Sequence, residues 1–108
     1  MAKWLLVVET NCNDTTREAE FNDWYDNTHL PDVLETPGVI RATRYENTNP
    51  PEGKGKFLAT YEIETDDINQ TMKALGDNLG KKGAEGRMTG LTELVSSGYY
   101  KHIGSRSQ

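Results

Sequence analysis

The alternation of apolar and polar residues along the chain predicts four strands. Residues 3–10 form a continuous apolar run rich in branched side chains, which is typical of a central strand covered on both faces. Residues 39–46 are rich in branched and aromatic side chains, and residues 56–64 alternate between apolar and polar positions, so both are predicted strands. Residues 91–103 are predicted to form the last strand, with a β-bulge at Gly98.

Two further segments have the apolar spacing of helices. The first begins at a capping residue within 14–16 and runs to about Leu30, after which Pro31 opens a separate short turn. In the second, apolar residues recur every three or four positions along one face. We expect Thr65 to cap this second helix and Gly80 to end it. The turn-rich segments 47–55 and 81–90 are predicted loops.

The predicted order is strand, helix, strand, strand, helix, strand. This order indicates an α+β fold of the ferredoxin-like βαββαβ type, with a four-stranded antiparallel sheet and both helices on one face. Residues 1–103 are expected to form a single domain, and residues 104–108 a flexible tail. Because the first strand is apolar on both sides, we expect a second copy to cover the free face, giving a homodimer that associates sheet to sheet into an α/β barrel.

Composition excludes several classes of partner. The 108-residue chain carries a formal charge of −5, and its longest basic cluster is the pair Lys81 and Lys82, so no nucleic-acid partner is expected. The single cysteine, Cys12, has no possible internal disulfide partner. The longest apolar run, residues 4–8, is too short for a signal peptide or a membrane span, so we expect a cytoplasmic protein that makes no membrane contact.

One stretch carries both aromatic residues and chemistry. In WYDNTHLPDVLETPGVIRATRYE, which begins at Trp24, an aromatic pair is separated from a histidine by three intervening residues. A Pro-Gly step then leads into a strand ending in Arg-Tyr. Together with the later LATYEIE, this pattern resembles the EthD-like branch of the dimeric α/β-barrel superfamily. The resemblance implies the ferredoxin-like dimer and a pocket between helices and sheet. Relatives of this kind include cofactor-free monooxygenases, polyketide cyclases, isomerases and haem-handling enzymes.

His29 is the candidate catalytic acid or base, because an imidazole exchanges protons near neutral pH. Tyr25 and Asp26 lie one helical turn before it and are candidate catalytic partners that orient its ring. The alternative is a histidine at the end of a helix that only interacts with the last carbonyl groups. Asn22 and Asp26 are otherwise expected to face water.

Trp24, Arg44, Tyr45 and Tyr61 are the candidate substrate-binding residues, which the resemblance places around the pocket. The alternative for the helix rings is ordinary core packing, and for Arg44 it is a strand ion pair with Glu62 or Glu64. Strand alternation puts Tyr45 on one face with Val39, Arg41 and Thr43, and Arg44 on the other. Which face looks into the pocket stays open.

Neither a metal nor a cofactor is expected. Histidine pairs at metal-ligand spacing, cysteine pairs and a glycine-rich phosphate loop in a strand–loop–helix setting are all missing from the sequence. The sequence therefore favours a small homodimeric, cofactor-independent enzyme performing cyclisation, isomerisation, dehydration or lyase cleavage on a hydrophobic, oxygenated, aromatic or polyketide-like molecule. The alternatives are a non-catalytic binding or accessory protein, a cofactor-free monooxygenase, and a dimeric scaffold with a collapsed pocket.

Overall fold

A computed structural model describes residues 1–108 and contains one four-stranded antiparallel sheet with helices on one side. The strands lie in the order β2-β3-β1-β4, which is the order of a ferredoxin-like sheet. The predicted ferredoxin-like fold is confirmed. The regular elements are β1 (Ala2–Cys12), a 3₁₀ turn (Thr15–Arg17), α1 (Glu18–Trp24), a π-helical turn (Tyr25–His29), α2 (Leu30–Leu34), β2 (Val39–Glu46), β3 (Phe57–Thr65), α3 (Ile68–Ala84) and β4 (Thr92–Lys101).

The core lies between the sheet and the helices. Strand β3 contributes every second side chain to it, because alternate residues of a strand point to the same face. Leu6 of β1 pairs with Tyr61 of β3, and Phe21 is completely buried against this layer. The helix-facing side chains of β3 are all buried: Phe57, Ala59, Tyr61 and Ile63.

The opposite face of the sheet has no helix over it. Leu5, Val7 and Leu58 lie on this face and are only partly buried. Tyr45 and Tyr100, which pair with Leu58 and Leu5, are 58% and 64% exposed. This exposed apolar surface is the structural feature on which the predicted homodimer depends.

The first helical segment is longer and less regular than predicted. The predicted short helical turn is present as α2, with Pro31 at its second position rather than its first, and the backbone stays helical from the π turn through to Leu34. The backbone N–H of Leu30 donates to the carbonyl of Tyr25, five residues earlier, which defines the π-helical turn. A proline in a regular α-helix lacks an N–H and presses its ring against the carbonyl four residues before it. The wider π turn directly before Pro31 relieves this conflict.

Helix α3 differs from the prediction at both ends. Its cap is Asp67, whose carboxylate accepts the backbone N–H groups of Asn69 and Gln70, rather than Thr65. It ends at Ala84 rather than Gly80, so the predicted loop 81–90 begins as helix. Gly86 follows with φ +77°, a left-handed conformation that glycine adopts without strain and that ends helices.

Two β-bulges change which side chains face the helices. In β2 the pairing shifts between Val39 and Arg41, so Val39, Ala42 and Arg44 all lie on the helix side. The alternation that grouped Val39 with Arg41 is therefore wrong. In β4 the bulge lies at Val95 rather than Gly98, since the pairing shifts between Glu9 and Thr10 of β1. No helix of the chain has the length and apolarity needed to span a membrane.

Candidate active site

The π-helical turn places an aromatic cluster beside the sheet. The rings of Trp24 and His29 are stacked, with centroids 4.7 Å apart and planes 19° from parallel. Tyr25 meets His29 edge to face at 5.0 Å, and it contacts Phe21 in the same way at 5.5 Å. His29 therefore packs between a tryptophan and a tyrosine, and it does not lie at a helix end. The alternative of a helix-terminal histidine is excluded, because the helix continues to Leu34.

Arg44 reaches this cluster from β2. Its guanidinium carbon lies 4.3 Å from the centroid of the Tyr25 ring, within cation–π distance. Nη1 donates to Asp26 at 2.9 Å and Nη2 donates to Asn22 at 2.9 Å, so two residues of the first helical segment hold the group in place. The side chain is only 13% exposed. Neither Asn22 nor Asp26 simply faces water, as the sequence suggested.

The predicted pairing of Arg44 with Glu62 or Glu64 is wrong. Arg44 pairs across the strands with the buried Ala59, and it therefore points toward the helices. Arg41, on the opposite face, is the residue that approaches Glu62, at 3.7 Å. The bulge at the start of β2 decides this assignment.

Three buried polar atoms near Tyr25 have no hydrogen-bond partner. They are Nδ1 of His29, Nε of Arg44 and the hydroxyl oxygen of Tyr61. Buried polar groups in folded proteins are almost always hydrogen-bonded, and each exception calls for an explanation. The three atoms belong to three elements, the π turn, β2 and β3, which meet at this point.

The surroundings of His29 keep its ring neutral. Burial lowers the pKa of His29 from 6.5 to about 4, because the charged imidazolium loses its hydration. The nearby carboxylate of Asp32 opposes this and raises the pKa, whereas the positive charge of Arg44 lowers it further. At neutral pH the imidazole therefore has a lone pair available to accept a proton.

The two phenols of the cluster are also held neutral. Burial raises the pKa of Tyr25 and the pKa of Tyr61, and each side chain is only 2% exposed. The neighbouring Tyr25 phenol raises the pKa of Tyr61 further, although the Tyr61 hydroxyl is not aligned for a hydrogen bond. Both phenols can therefore act as hydrogen-bond donors at neutral pH.

The structure brings together five of the seven residues that the sequence singled out. Trp24, Tyr25, His29, Arg44 and Tyr61 all belong to this cluster.

The other two are separated from the histidine. Asp26 binds Arg44 and does not orient His29, whose Nδ1 has no partner. Tyr45 lies on the opposite face of the sheet, although it borders the same surface cavity as Arg44.

Two charged residues at the site were not singled out as candidates. The carboxylate of Asp32, which is 3% exposed, accepts two hydrogen bonds from Arg87, at 2.8 Å from Nε and 3.0 Å from Nη2. The indole N–H of Trp24 donates to the backbone carbonyl of Arg87 at 2.8 Å. Asp32 follows His29 by three residues, a spacing that suggests proximity, but no local pattern in the sequence pairs either residue with Arg87.

Three of the five surface cavities have volumes of about 470, 390 and 440 Å³, and none of these three is lined by Tyr25, His29 or Tyr61. The cavity of about 390 Å³ borders Arg44, together with Asn22 and Asp26. No group of three His, Cys, Asp or Glu side chains is arranged to hold a metal ion. The side chains of the cluster offer imidazole, guanidinium and phenol groups.

Comparison with known sequences finds a partial relative. No protein-family model matches the chain. Over 50 residues, or 46% of its length, the chain is 40% identical to core atranone cluster protein 1 of Stachybotrys chlorohalonatus. The matched region spans only 21% of that fungal protein.

Comparison with solved structures finds the same fold along nearly the whole chain. A dimeric ferredoxin-like protein from an uncultured marine organism covers 98% of this chain and all of its own, with TM-score 0.71 and 13% identity. SnoaB, a cofactor-independent oxygenase from Streptomyces nogalater, covers 99% of this chain and 97% of its own, with TM-score 0.64 and 11% identity. An EthD family protein from Bacillus halodurans covers 95% and 100%, with TM-score 0.56 and 20% identity. The chain therefore shares the ferredoxin-like fold of these proteins.

Proposed function

We propose that this protein is a small homodimeric enzyme that needs no cofactor and performs acid/base chemistry on a hydrophobic, oxygenated small molecule. The observation that carries this proposal is the meeting of three buried, unpartnered polar atoms around Tyr25, on His29, Arg44 and Tyr61. Such an atom destabilises the folded state by about 1–3 kcal/mol. A ligand with carbonyl or hydroxyl oxygens would supply the missing hydrogen bonds.

The roles of the residues follow from their chemistry. Neutral His29 accepts a proton from a carbon atom next to a substrate carbonyl group, and the electron pair of the broken C–H bond moves onto the carbonyl oxygen. Arg44 and Tyr61 donate hydrogen bonds to the resulting enolate oxygen, which stabilises the developing charge. His29 then returns the proton to another atom of the substrate or to a leaving group, which restores the neutral ring.

The low basicity of His29 restricts the substrate. A base whose conjugate acid has a pKa of about 4 removes only relatively acidic protons at a useful rate. A carbon between two carbonyl groups carries such a proton, and β-dicarbonyl units are frequent in polyketide chains. We therefore propose a polyketide-like or aromatic β-dicarbonyl substrate, with cyclisation, isomerisation, dehydration or lyase cleavage as the reaction class.

The proteins that resemble this chain support the proposed function. The partial relative is named for an atranone cluster, and SnoaB is described as an oxygenase that works without a cofactor. The likeness to an EthD family protein, with the aromatic and histidine pattern that begins at Trp24, supports membership of the EthD-like branch. We further propose one domain over residues 1–103 and a tail over 104–108, with the free sheet face as the dimer interface.

Two functions other than the acid/base enzyme are each favoured by one observation. The absence of His29 from these three cavities favours the dimeric scaffold with a collapsed pocket, whereas an enzyme and a non-catalytic binding or accessory protein would both need a cavity there. The likeness to SnoaB favours a cofactor-free monooxygenase, in which the substrate carbanion itself reacts with oxygen. Oxygen consumption separates the second alternative from non-oxidative chemistry.

Deuterium exchange into benzoylacetone, a β-dicarbonyl probe, tests the proposal. The intact protein is expected to accelerate exchange at the carbon between the carbonyl groups, and His29→Ala is expected to abolish the acceleration while binding is retained. His102→Ala is the matched control, because this histidine lies after β4 and bonds Ser105 instead. Equal acceleration by the wild type and His29→Ala would exclude His29 as the base, and binding without any acceleration would favour the accessory protein.

A further inference from the structure

Arg87 connects two parts of the first helical segment. Its guanidinium group donates two hydrogen bonds to the carboxylate of Asp32, at 2.8 Å and 3.0 Å. Its backbone carbonyl accepts the indole N–H of Trp24 at 2.8 Å. A single residue outside the helix–sheet core therefore contacts both the ring that covers His29 and the carboxylate of Asp32, three residues after His29.

The end of α3 determines where Arg87 lies. Gly86 adopts a left-handed conformation, its N–H donates to the carbonyl of Gly83 at 3.1 Å, and the N–H of Arg87 donates to that of Lys82 at 2.9 Å. This pair of bonds is the Schellman arrangement, which reverses the chain direction after a helix. It directs Arg87 back toward α2.

The partner carboxylate is itself held firmly. Asp32 is 3% exposed, and its backbone carbonyl accepts a hydrogen bond from Asn78 of α3 at 2.8 Å. A buried carboxylate requires a paired cation, and a planar guanidinium provides two parallel hydrogen bonds. The Asp32–Arg87 pair therefore anchors the segment after α3 against α2 with a defined orientation.

We propose that Arg87 is a positioning residue for His29: it holds the Trp24 indole over the imidazole and neutralises the buried Asp32 carboxylate, which follows His29 by three residues in the helical segment. The inference rests on the proposed function in that His29 is taken as the reacting group. Arg87 itself acts through Trp24 and Asp32 and takes no part in the chemistry.

The charges around His29 determine the direction of the expected effect. The negative charge of Asp32 in α2 raises the pKa of His29, the positive charge of Arg44 in β2 lowers it, and Tyr25 lies against the ring within the π turn. Without the Arg87 side chain, Lys82 is the remaining cation that compensates Asp32, so the carboxylate favours the imidazolium more strongly. Loss of the Asp32–Arg87 pair also leaves the segment that carries the carbonyl of residue 87 less firmly anchored, so the Trp24 ring is held less tightly and water reaches His29. Both changes raise the pKa of His29 toward 6.5.

Two NMR measurements on the full chain test this inference. The titration of the His29 ring is expected to move up by about one pH unit in Arg87→Ala. Hydrogen exchange of the Trp24 indole N–H is expected to become about tenfold faster, because its hydrogen bond to the backbone carbonyl of residue 87 is weakened. The indole of Trp4, which belongs to β1, is the internal reference, and Arg87→Lys is expected to restore part of both effects.

One control variant and one second probe variant complete the test. Lys73→Ala removes an exposed ion pair of α3 with Asp77 and is expected to leave both signals unchanged. Trp24→Phe leaves the Asp32–Arg87 pair in place and removes the indole N–H together with part of the ring that stacks on His29. It therefore tests how far Trp24 shields His29 from water, even where Arg87→Ala does not fold. It is expected to raise the pKa of His29 as well.

The outcomes separate this inference from the proposed function. Arg87→Ala and Trp24→Phe variants that leave the His29 titration unchanged would overturn the positioning role, whatever their stability. Failure of His29→Ala to affect benzoylacetone exchange would instead remove the proposed function, while the NMR effects of Arg87 would persist. The two ideas can therefore fail independently.

Discussion

The indole ring of Trp24 lies almost parallel to the imidazole of His29, with ring centroids 4.7 Å apart. This contact removes one face of the imidazole from water, and burial is the largest cause of the low pKa of His29. The stacking thus links a packing contact to the protonation state of the candidate base.

The stability of the protein should depend on the protonation of His29. The folded-state pKa is about 4 and the ordinary value is 6.5, so the unfolded chain binds more protons between these values. The free energy of unfolding is therefore unaffected by His29 above pH 6.5, and it falls as the pH drops from 6.5 toward 4. The loss is on the order of 3 kcal/mol. Denaturant unfolding of the wild type and of His29→Gln between pH 4 and pH 6.5 measures this loss as the difference between the two proteins. The contributions of the carboxylates are largely the same in the two proteins and cancel in the comparison. Parallel pH profiles for the two proteins would contradict the buried, neutral ring.

Removal of the Tyr61 hydroxyl should stabilise the fold and impair the site. This group is buried without a partner, and such a group costs about 1–3 kcal/mol. Tyr61→Phe is expected to raise the free energy of unfolding by about 1 kcal/mol, and to reduce acceleration of benzoylacetone exchange. Tyr99→Phe, on the half-exposed Tyr99 of β4, is the control and should change neither quantity. A destabilised Tyr61→Phe variant would indicate a hydrogen bond that the structure lacks.

The loop between β2 and β3 should tolerate no side chain at Gly55. The N–H of Gly55 donates to the Glu9 carboxylate, and a Cβ atom there would collide with the Glu9 side chain and approach the carbonyl of Thr10 to 3.1 Å. Gly55→Ala is expected to destabilise the protein by about 1–3 kcal/mol. Gly76→Ala in α3, where a Cβ meets nothing within 4 Å, is expected to stabilise it by about 0.5–1 kcal/mol. Thermal unfolding of the two variants gives this comparison, and equal effects would exclude the close approach at Gly55.

The free face of the sheet should mediate dimerisation. Val7 lies at its centre, paired with Thr60 of β3 and Gly98 of β4, and is only partly buried in the single chain. Sedimentation at micromolar concentration is expected to give a dimer for the wild type and a monomer for Val7→Lys. Leu34→Lys, which adds the same charge to an exposed position of α2, should remain dimeric. A monomeric wild type would contradict the proposed interface.

Much of the fold was predictable because its signals are local. The branched apolar run that became β1 and the alternation in β3 depend only on the period of a strand. The first helix was recognised from the spacing of its rings, but its π turn was not. The widening before Pro31 depends on how one proline is accommodated within a helix that must stay packed on the sheet.

The candidate site was predictable in its residue types but not in its connections. Helical spacing placed Tyr25 next to His29, because residues four apart lie near one another on an α-helix, whereas the stacking of Trp24 on His29, five residues apart, depends on the π turn. The bulge in β2 reversed the expected face of Val39 and sent Arg44 to Asp26 instead of Glu62. A bulge adds one residue to a strand, and no period in the sequence reveals it.

By itself the sequence determined the order of the elements, the ferredoxin-like topology and the clustering of aromatic rings around one histidine, since each depends on short-range periodicity. Only the tertiary structure decided that His29 is covered by Trp24, that Arg44 faces the helices, and that Arg87 reaches Asp32 across 55 positions of the chain. The Arg44 and Arg87 contacts arise when separate elements pack together, and the Trp24–His29 contact arises from the π turn within one helical segment. Their burial, which sets the pKa of His29, exists only in the folded molecule.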